Sequence, residues 1–136
     1  MSTTAPYTYK SFAPYQVTQT DGLSSLSATT TYSYDVIGNV VAADGPLTGT
    51  GDQSFKTYDA NRRVICEIGP DPDGGGSLVR AMVRHTYDGA GRELKTETGT
   101  GTSTSSCLGS SMTVASFTRV TYDLAGRAIT TEVVQP

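Results

Sequence analysis

Hydrophobic and polar positions alternate in short runs along this chain and do not recur at helical spacing. In Thr118-Arg119-Val120-Thr121-Tyr122 the period is two, which predicts a strand with Val120 and Tyr122 on one face. Such runs end at Gly, Pro, Asn and Asp clusters, where the backbone can turn at low cost. The pattern therefore predicts an all-β chain of antiparallel strand–turn–strand hairpins.

The hairpin pattern recurs. Tyr-Asp stands at Tyr34-Asp35, Tyr58-Asp59, Tyr87-Asp88 and Tyr122-Asp123, where composition alone predicts about half of one such pair. A small hydroxyl residue (Ser33, Thr57, Thr86 or Thr121) precedes each Tyr. Gly38, Arg62, Gly91 and Gly126 come four residues after it, and Asn39, Arg63, Arg92 and Arg127 five after. Val41, Ile65, Leu94 and Ile129 come seven after.

Each position has a physical reading. Asp at a strand end accepts hydrogen bonds from N–H groups just ahead, which makes a turn. Gly suits a positive-φ position. The aliphatics Val41, Ile65, Leu94 and Ile129 are expected to return beneath the Tyr ring as the repeat core, each pair giving roughly 0.2–1 kcal/mol. Arg62 breaks the Gly pattern. A non-Gly residue at positive φ costs about 1 kcal/mol, so a different turn is expected there, with Asn61 in the left-handed region. Arg63, Arg92 and Arg127 are expected to pair with carboxylates of a neighbouring unit or to lie over Tyr rings. One hairpin is marginal in water, and stacked units would share one elongated sheet.

The motif Tyr-Asp-x-x-Gly-Arg followed by an aliphatic strand resembles the YD repeat of Rhs proteins, of insecticidal toxin-complex shells and of teneurins. His85-Thr86-Tyr87-Asp88-Gly89-Ala90-Gly91-Arg92 and Val120-Thr121-Tyr122-Asp123-Leu124-Ala125-Gly126-Arg127 carry the resemblance best. It implies a fold of hairpins wound into a β-shell, and in the parent protein a part in toxin encapsulation, delivery or cell-surface contact. Four units would cover an arc of such a shell.

The units occupy residues 28–136. Residues 1–27 form an N-terminal strand region, where Tyr7, Tyr9 and Tyr15 suggest a degenerate repeat. The motif tyrosines lie 24, 29 and 35 residues apart, which places insertions at about 46–54, 70–77 and 98–112. The last contains a Gly/Thr/Ser run expected to be a mobile loop. Composition fits a thin core, because Thr (22), Ser (14) and Gly (15) make up 51 of 136 residues. No apolar run approaches the roughly 20 residues of a membrane helix, and Met1–Pro6 has neither the basic start nor the apolar stretch of a secretory signal. A net charge of −3 argues against nucleic-acid binding.

Candidate chemistry is sparse. Cys107 sits in the polar insertion, where packing gives it no reason to be, so a bridge to Cys66 is plausible and two free thiols are the alternative. A bridge would close a loop of about 42 residues, contribute roughly 4 kcal/mol and require an oxidising compartment. His85, the lone histidine, lies where other units carry Tyr32, Lys56 and Val120, which favours a packing or surface role over catalysis. The turn Asp71-Pro72-Asp73-Gly74 partly resembles the autoproteolysis element at the end of Rhs shells. Without the second Asp motif and the following Leu it reads first as a solvated turn; calcium would want more oxygen ligands. The recurring aspartates are best explained by turn-making, so no catalytic, metal or cofactor-binding residue is assigned.

The sequence thus predicts a structural, non-catalytic segment of an extracellular or cell-surface wall. Its partners would be neighbouring repeats, or identical subunits through open sheet edges as in a filament. An adhesive or glycan-binding module is the other alternative.

Overall fold

The computed structural model describes residues 8–10, 13–20, 22 and 26–136; Tyr7 lies outside them. Among the described residues, ten strands form one sheet in strict chain order. They are β1 (Thr8–Lys10), β2 (Ala13–Thr20), β3 (Ser27–Tyr34), β4 (Val40–Asp44), β5 (Ser54–Tyr58), β6 (Val64–Ile68), β7 (Arg80–Tyr87), β8 (Glu93–Gly101), β9 (Thr113–Tyr122) and β10 (Ala128–Val134). Every neighbouring pair is antiparallel. The fold is all-β, built of consecutive hairpins. In such a meander successive connections fall at opposite ends of the strands. The four Tyr-Asp turns therefore share one end, and the insertions share the other.

The four turns are built alike. In each, Asp N–H donates to the carbonyl four residues on, and the N–H of the third residue after Asp donates back to the Asp carbonyl. This is a turn closed by a left-handed residue, with Gly38 at φ 90°, Gly91 at 87° and Gly126 at 82°. Arg62 takes the same place at φ 63°, and its N–H donates to the Asp59 carbonyl at 3.0 Å. The expected shift of the turn to Asn61 is thus overturned. The physical reason lies outside the turn: Arg62 Nε donates to Asn39 Oδ1 at 2.9 Å and Nη2 to the Ile37 carbonyl at 3.2 Å. These bonds tie the second turn to the first and offset the backbone strain.

The expected pairing of each Tyr with the aliphatic seven residues on is also corrected. Tyr34, Tyr58, Tyr87 and Tyr122 stand opposite Val40, Val64, Glu93 and Ala128. Val41, Ile65, Leu94 and Ile129 are the extra residue of a bulge repeated in every hairpin. Ile129 is 62% exposed, and the other three are half-buried. The buried core comprises Cys66, Ile68, Met82, Cys107 and Met112, with Phe55 and Val114 against it.

That core exists because the third insertion folds back over the sheet. Cys66 and Cys107 form a disulfide with Cα atoms 5.7 Å apart, and neither sulfur-bearing residue is more than 2% exposed. Residues 98–101 belong to β8, and Gly109–Ser111 form a 3-10 turn, so the insertion is held at several points. Its own serines help. Ser103 Oγ accepts from Ser105 and Ser106 N–H, and Ser106 Oγ accepts from Leu108 N–H. The mobile loop expected from composition is instead an ordered crossing tied by these bonds and the disulfide. Two glycines permit the crossing. A Cβ on Gly99 would lie 2.0 Å from the Thr113 carbonyl oxygen, and one on Gly101 2.2 Å from that of Ser111.

The first two insertions are joined by buried Arg80. Its Nη1 donates to the Gln53 and Gly69 carbonyls at 2.7 and 2.9 Å, and its Nη2 to that of Thr50 at 3.3 Å. Asp71 N–H adds a bond to the Gly51 carbonyl at 2.7 Å.

Candidate functional site

The recurrent feature of the molecule is the junction between consecutive units, and the motif residues build it. Period-two alternation sets the Tyr at the end of the first strand of each hairpin. Its hydroxyl reaches back to the preceding unit: Tyr58 donates to the Val40 carbonyl at 2.8 Å, Tyr87 to that of Val64 at 2.9 Å and Tyr122 to that of Glu93 at 2.9 Å. Each acceptor is the residue opposite the previous unit's Tyr, so one register governs all three junctions.

The Arg of the motif completes the junction from the other side. Arg63 lies over the Tyr87 ring and Arg92 over the Tyr122 ring, each 4.6 Å from the centroid. The ring contact agrees with the expectation for Arg63 and Arg92, but the carboxylate partner is not that of a neighbouring unit. Arg63, Arg92 and Arg127 bind Asp59, Asp88 and Asp123 of their own units, with Nε–Oδ2 distances of 2.7, 2.7 and 2.8 Å. The tight turn brings Arg back beside Asp, so no neighbouring carboxylate is needed. In the first unit Asn39 substitutes: its Nδ2 donates to Asp35 Oδ2 at 2.8 Å, and its Oδ1 takes the Arg62 bond.

The aspartates are the electrostatic centre of each turn. Asp88 Oδ1 accepts Ala90 and Arg92 N–H, both at 2.9 Å, and the other units repeat this. The backbone N–H of the motif Arg, helped by its guanidinium, holds Asp59, Asp88 and Asp123 below the ordinary carboxylate range. For Asp35, slight desolvation works upward but is outweighed by N–H donors from Asn39, Ile37 and Gly38.

Two further charged groups bridge strands. Buried Glu97 receives Arg84 Nε at 2.6 Å and Lys95 Nζ at 2.7 Å. The Arg84 hydrogen bond, assisted by Lys95 and opposed by desolvation, lowers its pKa to about 2. Arg84 also donates to the Cys107 carbonyl at 3.1 Å, fastening the disulfide loop to the sheet. His85 bridges Glu93, 2.5 Å from Nδ1, and Glu67, 3.4 Å from Nε2, so its contacts are cross-strand ones within the sheet. The Asp73 carboxylate accepts Gly76 and Leu78 N–H at 3.1 and 2.9 Å, which occupies the acidic turn in its own backbone.

Sequence reasoning places Asn39 and Arg62 in the motif columns but misses the bond between them, and it misses Arg80, Arg84 and Glu97 altogether. For Asn39 the available signal was its column, which holds Arg in the other units. At the insertion end, an open cleft of about 400 Å³ is lined by Val79, Thr100, Thr102, Ser103, Ser110 and Thr113 among others, without a charged or aromatic side chain. Among the described residues, no group of three or more His, Cys, Asp or Glu is placed to share a metal ion, and no helix is long and apolar enough to cross a membrane. The disulfide fits an oxidising environment. The chain matches no protein-family model and no curated protein sequence.

Proposed function

We propose that this chain is a structural, non-catalytic segment of a YD-repeat wall resembling Rhs-type shells, working outside the cell or at its surface. The observation that carries this reading is the junction itself. Three successive tyrosine hydroxyls bond the same carbonyl position of the preceding unit, and two arginines cover the following tyrosine. Motif side chains spent on holding one unit to the next suit a wall that grows by repetition. The one carboxylate per unit is engaged by its own turn, which suits support better than acid–base work. The disulfide agrees with an extracytoplasmic location.

The flanking genomic sequence and an electron-microscopy reconstruction of the complete gene product test this. The expected result is further Tyr-Asp-x-x-Gly units in register, continuing the sheet as a curved wall. Flanks without the motif, or a reconstruction in which these hairpins stand alone, would contradict the reading.

A further inference from the structure

We propose that His85 is a proton-operated clasp between the second and third units. With two ring protons it ties Glu67 to Glu93, and on losing the Nε2 proton it lets go of Glu67.

The first observation is where the ring sits. The backbone ladder between β6 and β7 runs for three pairs and stops at Cys66 and Arg84, one residue short of His85. Towards the Tyr-Asp turns, side chains continue the junction. The Tyr87 hydroxyl bonds the Val64 carbonyl, Arg63 covers the Tyr87 ring, and His85 lies against Glu67. The other units carry Tyr32, Lys56 and Val120 in the His85 column, so an imidazole stands at this junction alone.

The second is the hydrogen-bond inventory. Nδ1 lies 2.5 Å from Glu93 Oε1 on β8, and Nε2 lies 3.4 Å from Glu67 Oε1 on β6. The His85 side chain is 17% exposed, and Nε2 is shut off from solvent without a hydrogen bond of its own. A neutral imidazole has one N–H donor and one acceptor nitrogen. Either neutral tautomer therefore sets a bare nitrogen against a carboxylate oxygen. Only the ring with two protons offers a donor to both. The shorter contact keeps Nδ1–H on Glu93 of the same hairpin. The proton that comes and goes is then the one on Nε2, which faces the neighbouring unit.

The third is the local charge. Glu67 and Glu93 face the ring from the two flanking strands. Lys56 of β5 stands 3.2 Å from the Glu67 carboxylate. The Tyr87 ring lies nearly parallel to the imidazole at 6.3 Å, and its covering Arg63 is already paired with Asp59. Thr96, opposite His85 on β8, is uncharged. Two carboxylates against one lysine leave one charge uncompensated, and the imidazolium supplies it. Desolvation pushes the Glu93 carboxyl up, but hydrogen bonds from His85 and Thr96 outweigh it and hold the group below the usual range. The clasp contributes while the ring holds both protons and is lost as rising pH removes one. The junction is thus tighter in mild acid and looser in alkali.

A double-mutant cycle between His85→Gln and Glu67→Gln tests this. It is read by urea unfolding of the full chain, its disulfide intact, at about pH 6 and about pH 9, on either side of the imidazole range. The expected coupling is roughly two- to fivefold in the folding constant at the lower pH and absent at the higher. The matching cycle with Glu93→Gln should keep a coupling at both, because Nδ1–H remains. Should His85→Gln fail to fold, nitrogen NMR of the wild type reads the ring directly, since His85 is the lone histidine. At the higher pH the expected tautomer carries its proton on Nδ1 and leaves Nε2 bare. No Glu67 coupling at the lower pH, equal Glu67 coupling at both, loss of the Glu93 coupling at the higher pH, or a proton still on Nε2 there would each overturn the proposal. The clasp needs only this junction, so its failure leaves the wall reading standing, and genomic flanks without the motif leave the clasp standing.

Discussion

The Arg63 guanidinium lies 4.6 Å from the centroid of the Tyr87 ring while its Nε and Nη2 hold Asp59 Oδ2 at 2.7 and 2.6 Å. One side chain closes the turn of its own unit and covers the tyrosine of the next. Local turn geometry and long-range stacking are thereby the same interaction, and disturbing the turn should loosen the junction.

The turn aspartates make that point testable. Asp88→Ala removes the acceptor of two backbone N–H groups and of Arg92 Nε. Its melting temperature should fall, as when a cap is lost. Because Arg92 is freed, Tyr122 fluorescence should become more accessible to a quencher. An unchanged melt and unchanged quenching would count against the turn role.

Arg62 separates backbone strain from side-chain bonding. Arg62→Ala keeps a Cβ at φ 63° and loses both bonds to the first turn. Arg62→Gly loses the same bonds but relieves the strain. Glycine should therefore be the more stable variant by about 1 kcal/mol in urea melts. Equal stability would show that the left-handed conformation carries no cost here.

These positions also show how much was legible in the sequence. The Tyr-Asp columns and the Gly column marked the turns, because Asx bonding and positive φ are local requirements. The bulge was not legible: simple alternation counts every residue, and the residue skipped seven after Tyr has no composition of its own. Nor was the true core. Met82, Met112 and Cys107 lie outside the motif, and they meet only because the third insertion returns across Gly99 and Gly101. Cys107 marks the disulfide anchor of the Ser/Thr-rich run in the sequence, but the close crossing at Gly99 and Gly101 does not register in composition.

The disulfide should matter more than any single turn. Cys66→Ser/Cys107→Ser releases a loop spanning 41 residues, worth roughly 4 kcal/mol by the chain-entropy model. The denaturation midpoint should drop accordingly. In the native protein both cysteines are shielded, so thiol labelling after mild reductant should follow the rate of loop opening. Rapid reduction with no loss of stability would contradict the anchoring role.

Acid should weaken the protein through Glu97. Its pKa is lowered in the fold to about 2 from an ordinary 4.5, so the unfolded chain binds the proton more readily between those values. Its contribution is whole above the unfolded pKa and is lost as pH falls toward the folded one. The turn aspartates act in the same direction. Urea midpoints should therefore fall steadily below about pH 5. Glu97→Gln should be less stable at neutral pH, because it leaves Arg84 without its counter-charge, and should show a shallower acid slope. An identical slope would remove Glu97 from the account.

The most direct test of the stacking claim is a double-mutant cycle between Arg63 and Tyr87, read by equilibrium unfolding of Arg63→Ala, Tyr87→Ala and the pair. Arg92 and Tyr58, which belong to different units and do not meet through a motif contact, serve as the reference cycle. The account predicts a coupling of about 0.5–1 kcal/mol for the first pair and additivity for the second. Additivity in both cycles would contradict it, because the arginine would then serve its own turn and contribute nothing to the next unit.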